Sequence, residues 1–311
     1  MNKINILKLL PTLYFLSICF GGYEFNGCKT KINVDLGDRA KGQLSKQEIE
    51  VLRIEAEDIC LEALSLEPEN AYIALFIGEE LYSKELKDNN KAAEMYIEAL
   101  NRPDGNLGSQ HILSVGRKKI YNVHEYIKVQ KLADKWYNYG VDANNKAKHD
   151  EAIKNFEYSS KLDSSSALRC YGAIAEIYYE HKADVDLALE SINTALVNTN
   201  DKETITDLKL RKITYLRKSG KKNEAEKILL ELLNEDANSI PVQLQLFHLH
   251  MDNSDCSSAL EMAPDLYIKM EEDPRIPMGN LSELAFNIGV CYNQEGDIKY
   301  NLINITLYTI K

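Results

Sequence analysis

Along most of this chain, apolar residues recur three, four and seven positions apart, the spacing of one face of an α-helix. The clearest stretch begins near Ala133, where Trp136, Tyr139, Gly140 and Ala143 share such a face. A polar run, Asn144 to Asp150, breaks the pattern. A second helix then carries Ala152, Phe156 and Ser159 and ends around Leu162-Asp163-Ser164. Small residues at Gly140 and Ala152 let the two helices approach, and Trp136 and Phe156 fill the remaining space. No stretch of any extent alternates with the period of a strand. With 7 Pro and 15 Gly spread over 311 residues, most of the chain is free to be helical.

The second-helix pattern returns at intervals. Ala188, Ile192 and Ala195 repeat it, as do Ala225, Leu229 and Leu232, and then Ala259, Ala263 and Leu266. The anchor alanines Ala152, Ala188, Ala225 and Ala259 are 36, 37 and 34 residues apart. Upstream, Ala56, Cys60, Ala63 and Pro68 carry the pattern, and so do Ala92, Tyr96 and Ala99. Downstream, Ile288, Gly289, Tyr292 and Gly296 restate the first helix. A period near 34 with a large residue, Gly, Tyr, Ala, Phe, Ala and Pro in this order resembles the tetratricopeptide repeat. The likeness covers roughly 45–104 and 133–296, and the unit from Trp136 to Ser164 matches best. It implies an all-α fold, a right-handed superhelix (α-solenoid) of tandem helix pairs.

The same resemblance implies where a partner would lie, because the first helix of each pair lines the concave surface of such an array. Residues there that packing does not need are Tyr137, Val141, Asn144 and Asn145 in the best unit. Glu180 and His181 follow, then Arg217 and Lys218, then His248 and Met251, and finally Phe286, Asn293 and Gln294. Some members of the family clamp a peptide carboxylate through Lys and Asn at two fixed positions. Tyr137 and Val141 occupy those positions here, so a mixed polar and aromatic groove for an extended or helical segment is expected instead.

Two regions depart from the period. Between Pro103 and Lys131 it lapses, with turn signals at Pro103-Asp104-Gly105 and Gly108-Ser109 and a helix expected after Val115. After Gly296-Asp297 the expected second helix, with Ala at its start, is missing; residues 301–311 read as an incomplete last repeat or tail. The organisation is then 45–104 as N-terminal helices, 105–132 as an irregular linker and 133–300 as the main array. Ser45-Lys46-Gln47-Glu48 has the form of a capping box that opens the folded part.

The N-terminus has a different character. Lys3 and Lys8 precede a charge-free run from Leu9 to Gly22, the layout of a secretory signal. A buried first helix is the alternative, while Pro11 and the short length count against a membrane span. Phe25-Asn26-Gly27-Cys28 resembles the end of a bacterial lipoprotein signal, in which the Cys is lipidated. On that reading residues 1–27 are removed, Cys28 carries the lipid, and 28–44 tether the array to the cell envelope. Simple cleavage and secretion is the alternative. Cys60, Cys170, Cys256 and Cys291 are isolated in helical segments, form no CxxC, and read as small buried thiols.

The remaining chemistry narrows the function. A net charge of −11 argues against a nucleic-acid partner. There is no GxGxxG, phosphate-binding loop, HExxH or GxSxG, and His248 and His250 point to different faces of a helix, a poor metal pair. No catalytic residue, metal or cofactor is assigned. A non-catalytic scaffold or adaptor that holds a protein or peptide is the leading reading. Capture of a small ligand such as a glycan is the alternative, suggested by the 18 Tyr.

Overall fold

The periodic segments fold as helices, and their ends are set by the side chains that the local sequence provides. The computed structural model describes residues 21–36, 44–102, 113–115 and 118–296. Helices α1 (Gly21–Thr30, continued by a π-helical turn Lys31–Asp35), α2 (Lys46–Leu66), α3 (Ala71–Phe76, continued in π-helical form over Ile77–Leu86) and α4 (Asn89–Asn101) come first. Strands β1 (Leu113–Val115) and β2 (Lys118–Ile120) follow, then α5 (Val123–Val129), α6 (Leu132–Asn145) and α7 (His149–Leu162). The chain continues with α8 (Ala167–Glu176, extended by a π-helical turn Ile177–His181), α9 (Val185–Val197) and α10 (Lys202–Lys218). The last four are α11 (Lys222–Glu235), α12 (Ile240–Asp252), α13 (Cys256–Glu272) and α14 (Met278–Gln294).

The expected capping box is present: Ser45 Oγ accepts from the Glu48 N–H at 3.3 Å and Glu48 Oε2 from the Ser45 N–H at 2.8 Å. Asp88, Asp184 and Asp255 cap α4, α9 and α13 in the same way, their carboxylates accepting otherwise unpaired N–H groups of the first turn. Each of these caps follows a residue in the left-handed conformation, Lys87, Ala183 and Ser254, with φ of 56°, 52° and 58°. Ala147 and Gly220 hold the equivalent place before α7 and α11, with φ of 56° and 78°. This tight turn reverses the chain between the two helices of a pair.

Two compact units result, the first extending to Cys170 and the second from Tyr171. Their boundary falls within the stretch read from sequence as a single array, 133–300. In the first unit, Ser159 Oγ at the end of α7 donates to the Ala133 carbonyl at the start of α6 at 2.8 Å, so the pair is antiparallel. A Cβ built on Gly140 would lie 2.6 Å from the Phe156 ring, so only glycine fits there. Trp136 is fully buried, with Tyr96 and Tyr139 edge-on at 5.8 and 5.9 Å. The anchors Ala56, Ala92, Ala152, Ala188, Ala225 and Ala259 are all fully buried, which is why the period was visible.

The period also appears in the polar contacts. Lys91 pairs with Glu57 (2.6 Å), Arg169 with Asp134 (2.5 Å), Lys221 with Asp186 (2.5 Å) and Arg217 with Asp252 (2.8 Å). Their partners are 34 or 35 residues apart, so equivalent turns of successive pairs are tied together. Within each unit, consecutive helices pack on one another. The fold class is therefore the all-α array of tetratricopeptide-like helix pairs expected from the sequence.

The lapse in period holds a difference. The helix expected after Val115 is α5, but before it the chain forms a two-stranded antiparallel hairpin, with Leu113 opposite Ile120 and Val115 opposite Lys118. Ile120 at the end of β2 and Val123 at the start of α5 are fully buried, which anchors the hairpin to the core.

The N-terminal readings need correction. Cys28 is fully buried in α1 and forms a disulfide with Cys60 of α2. A sulfur in that bridge cannot also carry a lipid thioether, so Cys28 is not a lipidation site in this arrangement. Phe25, Ile32 and Leu36 are buried with it. Residues 28–36 are thus helical packing elements in place of a flexible tether, and Phe25 packs in the core with them. The apolar spacing of 25, 28, 32 and 36 is a helix period that the charges around it obscured. Residues 1–20, which carry most of the proposed signal, and 301–311 lie outside the described residues.

The reading of isolated thiols also fails at Cys256 and Cys291, which form a second disulfide between α13 and α14. It holds at Cys170, a buried free thiol whose ionisation is pushed up by burial.

Candidate functional site: the first-helix face of the second unit

In the second unit the first helices of successive pairs are α8 with its π-helical turn, α10, α12 and α14. Their exposed positions carry most of the residues singled out from sequence. Glu180, His181 and Lys218 are exposed, as are Asn293 and Gln294. Phe286 is 64% exposed, far more than a ring of that size needs to be if it only filled a core. His248 and Met251 are half-buried.

Arg217 departs from expectation. It is 6% exposed, and its Nε donates to Asp252 at 2.8 Å while Nη1 donates to Gln245 Oε1 at 2.8 Å. Gln245 Nε2 in turn donates to Thr214 Oγ1 at 3.2 Å. This network closes α10 onto α12 at their C-terminal ends, so Arg217 is a structural tie and not a free contact for a partner. Removing it would strand polar groups that now satisfy one another.

His248 lies beside this tie. Burial holds its imidazole below the ordinary histidine range, and the positive charges of Arg217 and Lys218 act in the same direction against Glu283 and Asp252. The ring is therefore neutral at pH 7. One turn along the face, the Tyr179 and Tyr215 rings stack at 4.2 Å with an interplanar angle of 21°. Burial pushes both phenols up, so they remain protonated donors at neutral pH. Sequence reasoning missed this pair, as it missed Thr214 and Gln245. The available signal was the repeat period itself, since Tyr179 and Tyr215 are 36 residues apart.

At the opposite, N-terminal ends of α10 and α12, these helices and the C-terminal end of α11 enclose a cleft of about 540 Å³. Its floor holds Leu210, Leu232, Pro241 and Val242, and Glu203, Asp207, Glu235 and Asp236 stand on its rim. None of these residues was among the expected contacts.

In the first unit the candidates fare differently. Tyr137 packs its ring 5.2 Å from Phe156, and the Arg169 guanidinium lies 4.4 Å over its centroid, so the ring is engaged within the unit. Asn144 Oδ1 is 3.1 Å from His149 Nδ1 and helps close the turn between α6 and α7. Only Asn145 stands exposed. Tyrosines that suggested surface capture are also committed here. Tyr82, Tyr96 and Tyr158 donate to Glu57, Glu79 and Glu94 at 2.8, 2.5 and 2.6 Å. Tyr126 shares Glu79 as its acceptor.

Among the described residues no group of His, Cys, Asp and Glu is placed to hold a metal ion. No helix among them is long and apolar enough to cross a membrane. The His250 ring nitrogen Nδ1 is 3.1 Å from Asp255 Oδ2 in the turn before α13, a capping contact with no second ligand.

Helix pairs in phase, buried anchor alanines and inter-pair ties at one period define a tetratricopeptide-like helical-repeat protein. No family model and no curated protein matches the chain. Among solved structures it is similar to YrrB, described as a TPR protein with an unusual peptide-binding site. That likeness is 19% identity over 59% of this chain and 89% of that one, with a TM-score of 0.41. At that level of likeness the class rests on this chain's own geometry.

Proposed function

We propose that the second unit holds a protein or peptide partner on its first-helix face, as a non-catalytic scaffold or adaptor. The exposed Phe286 carries this reading: a large aromatic left in water on the face that the fold leaves open is a strong anchor for a partner. Elsewhere among the first helices, Tyr179, His248 and the exposed Lys218 supply polar groups. YrrB, the structural neighbour, is described as having a peptide-binding site, which agrees with the reading without locating a site here.

The test is recovery of a crosslinked partner from cells by the wild-type chain and by Phe286→Ala, Lys218→Glu and Tyr179→Ala. Loss of the same partner with these variants, while Asn145→Ala in the first unit leaves it unchanged, is the expected result. Equal recovery by all of them would remove the second-unit face from consideration.

We also propose export to an oxidising compartment. The charge-free run from Leu9 to Gly22 supports it, as do two disulfides, which persist where thiols are not kept reduced. Diacylation of Cys28 and the Cys28–Cys60 bridge exclude one another, so release without a lipid at Cys28 is the form proposed. Mass spectrometry of the mature chain decides this: an intact mass lower by two disulfides, with Cys28 and Cys60 in one linked peptide, supports it, and a diacyl adduct at Cys28 refutes it.

A further inference from the structure

We infer that the cleft formed by the N-terminal halves of α10 and α12 with the C-terminal end of α11 is a subsite for an aliphatic side chain flanked by Lys or Arg in a bound peptide. This rests on the reading of the second unit as a partner surface. It adds a position beside the first helices and the chemistry that is read there.

The floor of the cleft is apolar. Leu232 and Val242 are 2% and 1% exposed, and Leu210 and Pro241 flank them. A recess of about 540 Å³ with such a floor admits one or two branched side chains and gains from removing them from water.

The rim is acidic. Glu203, Asp207, Glu235 and Asp236 set four carboxylates against the single ammonium of Lys202. All four carboxylate residues are exposed. Some of this charge is already partnered: Asp207 pairs with Arg211 at 3.0 Å, and Glu235 lies 3.7 Å from Lys209 and 4.0 Å from Lys202. These are surface pairs, which cost little to exchange for a ligand's cation. The excess of negative charge around an apolar floor disfavours an acidic or purely apolar ligand and favours a basic residue beside the buried one. Away from the cleft, Arg217 ties α10 to α12 through Asp252 and Gln245.

The experiment pans a phage-displayed library of random dodecapeptides on the full-length chain. Binding of the selected peptides is then measured by fluorescence anisotropy against three variants: Glu203→Lys with Asp207→Lys, the milder Glu203→Gln with Asp207→Asn, and Leu210→Asn. Thermal melts establish that each variant is folded. Expected are peptides sharing an aliphatic residue next to Lys or Arg, weakened by added salt. Charge reversal should lower their affinity about tenfold or more, neutralisation less, and Leu210→Asn about tenfold.

Selected peptides that are acidic, or that bind all three variants as they bind wild type, would overturn the inference, as would failure to select any peptide. Peptides that lose affinity with Phe286→Ala but not with the cleft variants would overturn it while leaving the wider face reading in place. Failure of that reading shows separately, as partner recovery indifferent to Phe286, Lys218 and Tyr179.

Discussion

In the first unit the small residue lies on the first helix of a pair and the ring on the second. Gly140 faces Phe156, and Gly78 faces Tyr96 with a Cβ there 3.1 Å from the ring. In one pair of the second unit, α12 and α13, the sizes are exchanged. Phe247 precedes Ala259 by twelve residues, as Gly140 precedes Ala152, and Ala263 occupies the place of Phe156. Phe247 and Ala263 are both buried in one core cluster. What the repeat preserves between the two units is the volume filled between the helices, and the residue that fills it is free to change sides. Polar chemistry divides in the same way. The first unit sets Tyr82, Tyr96 and Tyr158 against glutamates and buries Arg102, whereas the second buries Arg217 and leaves Phe286 in water.

The widest break of this comparison comes from the disulfides, one in each unit, with cysteines 32 and 35 residues apart. Loops of nearly equal length confer nearly equal stabilisation. Cys28→Ser with Cys60→Ser, and Cys256→Ser with Cys291→Ser, should each cost about 3–4 kcal/mol in their own unit. Hydrogen exchange resolved by segment reads the two losses separately. A loss confined to one pair would show that the bridges are not equivalent staples.

Next in size is the glycine contact. Gly140→Ala should cost about 1–3 kcal/mol in urea unfolding, because the Phe156 ring must move. The size exchange can itself be imposed: Gly140→Phe combined with Phe156→Ala should be more stable than Gly140→Phe alone. If the double variant is no better, volume conservation is not the rule that links the two units.

Stability against pH separates the units by sign. Burial and then nearby glutamates push the phenols of Tyr82, Tyr96, Tyr126 and Tyr158 above their ordinary 10.0. An unfolded chain therefore releases protons first, and stability is complete below about pH 10 and falls as pH rises past it. His248 is lowered from 6.5, so the unfolded chain binds a proton that the folded one refuses. Its contribution is complete above about pH 6.5 and falls as pH drops below it. The first unit should thus lose protection at alkaline pH in a phenol-dependent way that Tyr96→Phe lessens. The acid-side loss from His248 in the second unit should disappear in His248→Gln. Amide exchange across pH measures both.

The smallest effects lie in the turns. Ala147 and Ala183 occupy the left-handed region that Gly220 fills without strain. Ala147→Gly and Ala183→Gly should each add about 0.5–1 kcal/mol, and Gly220→Ala should remove a similar amount. Melting temperatures of the three variants test whether the turns are the same device in both units.

Much of this fold was legible because its signals are local. The alanine anchors, the capping box at Ser45 and the Gly140–Phe156 pair each lie within one helix pair, where spacing alone implies contact. Phe247 and Ile213 were harder to place, because the exchange of sizes removes the glycine that marks the pattern. The candidate site was less legible. Lys218 and Phe286 are exposed as their register implies, but Arg217 holds an equivalent register and is buried. Its fate depends on Asp252 and Gln245, 35 and 28 residues away.

The sequence by itself determined the helical period, the caps and the order of helix pairs, since these depend on neighbours within a few turns of chain. Only the tertiary structure decided which cysteines are bridged, that Phe25, Cys28, Ile32 and Leu36 belong to the core, and that α10, α11 and α12 enclose an acidic, apolar-floored cleft. Those outcomes turn on which side chains meet across about one full repeat. Burial, charge pairing and disulfide geometry are properties of that meeting and of no single segment.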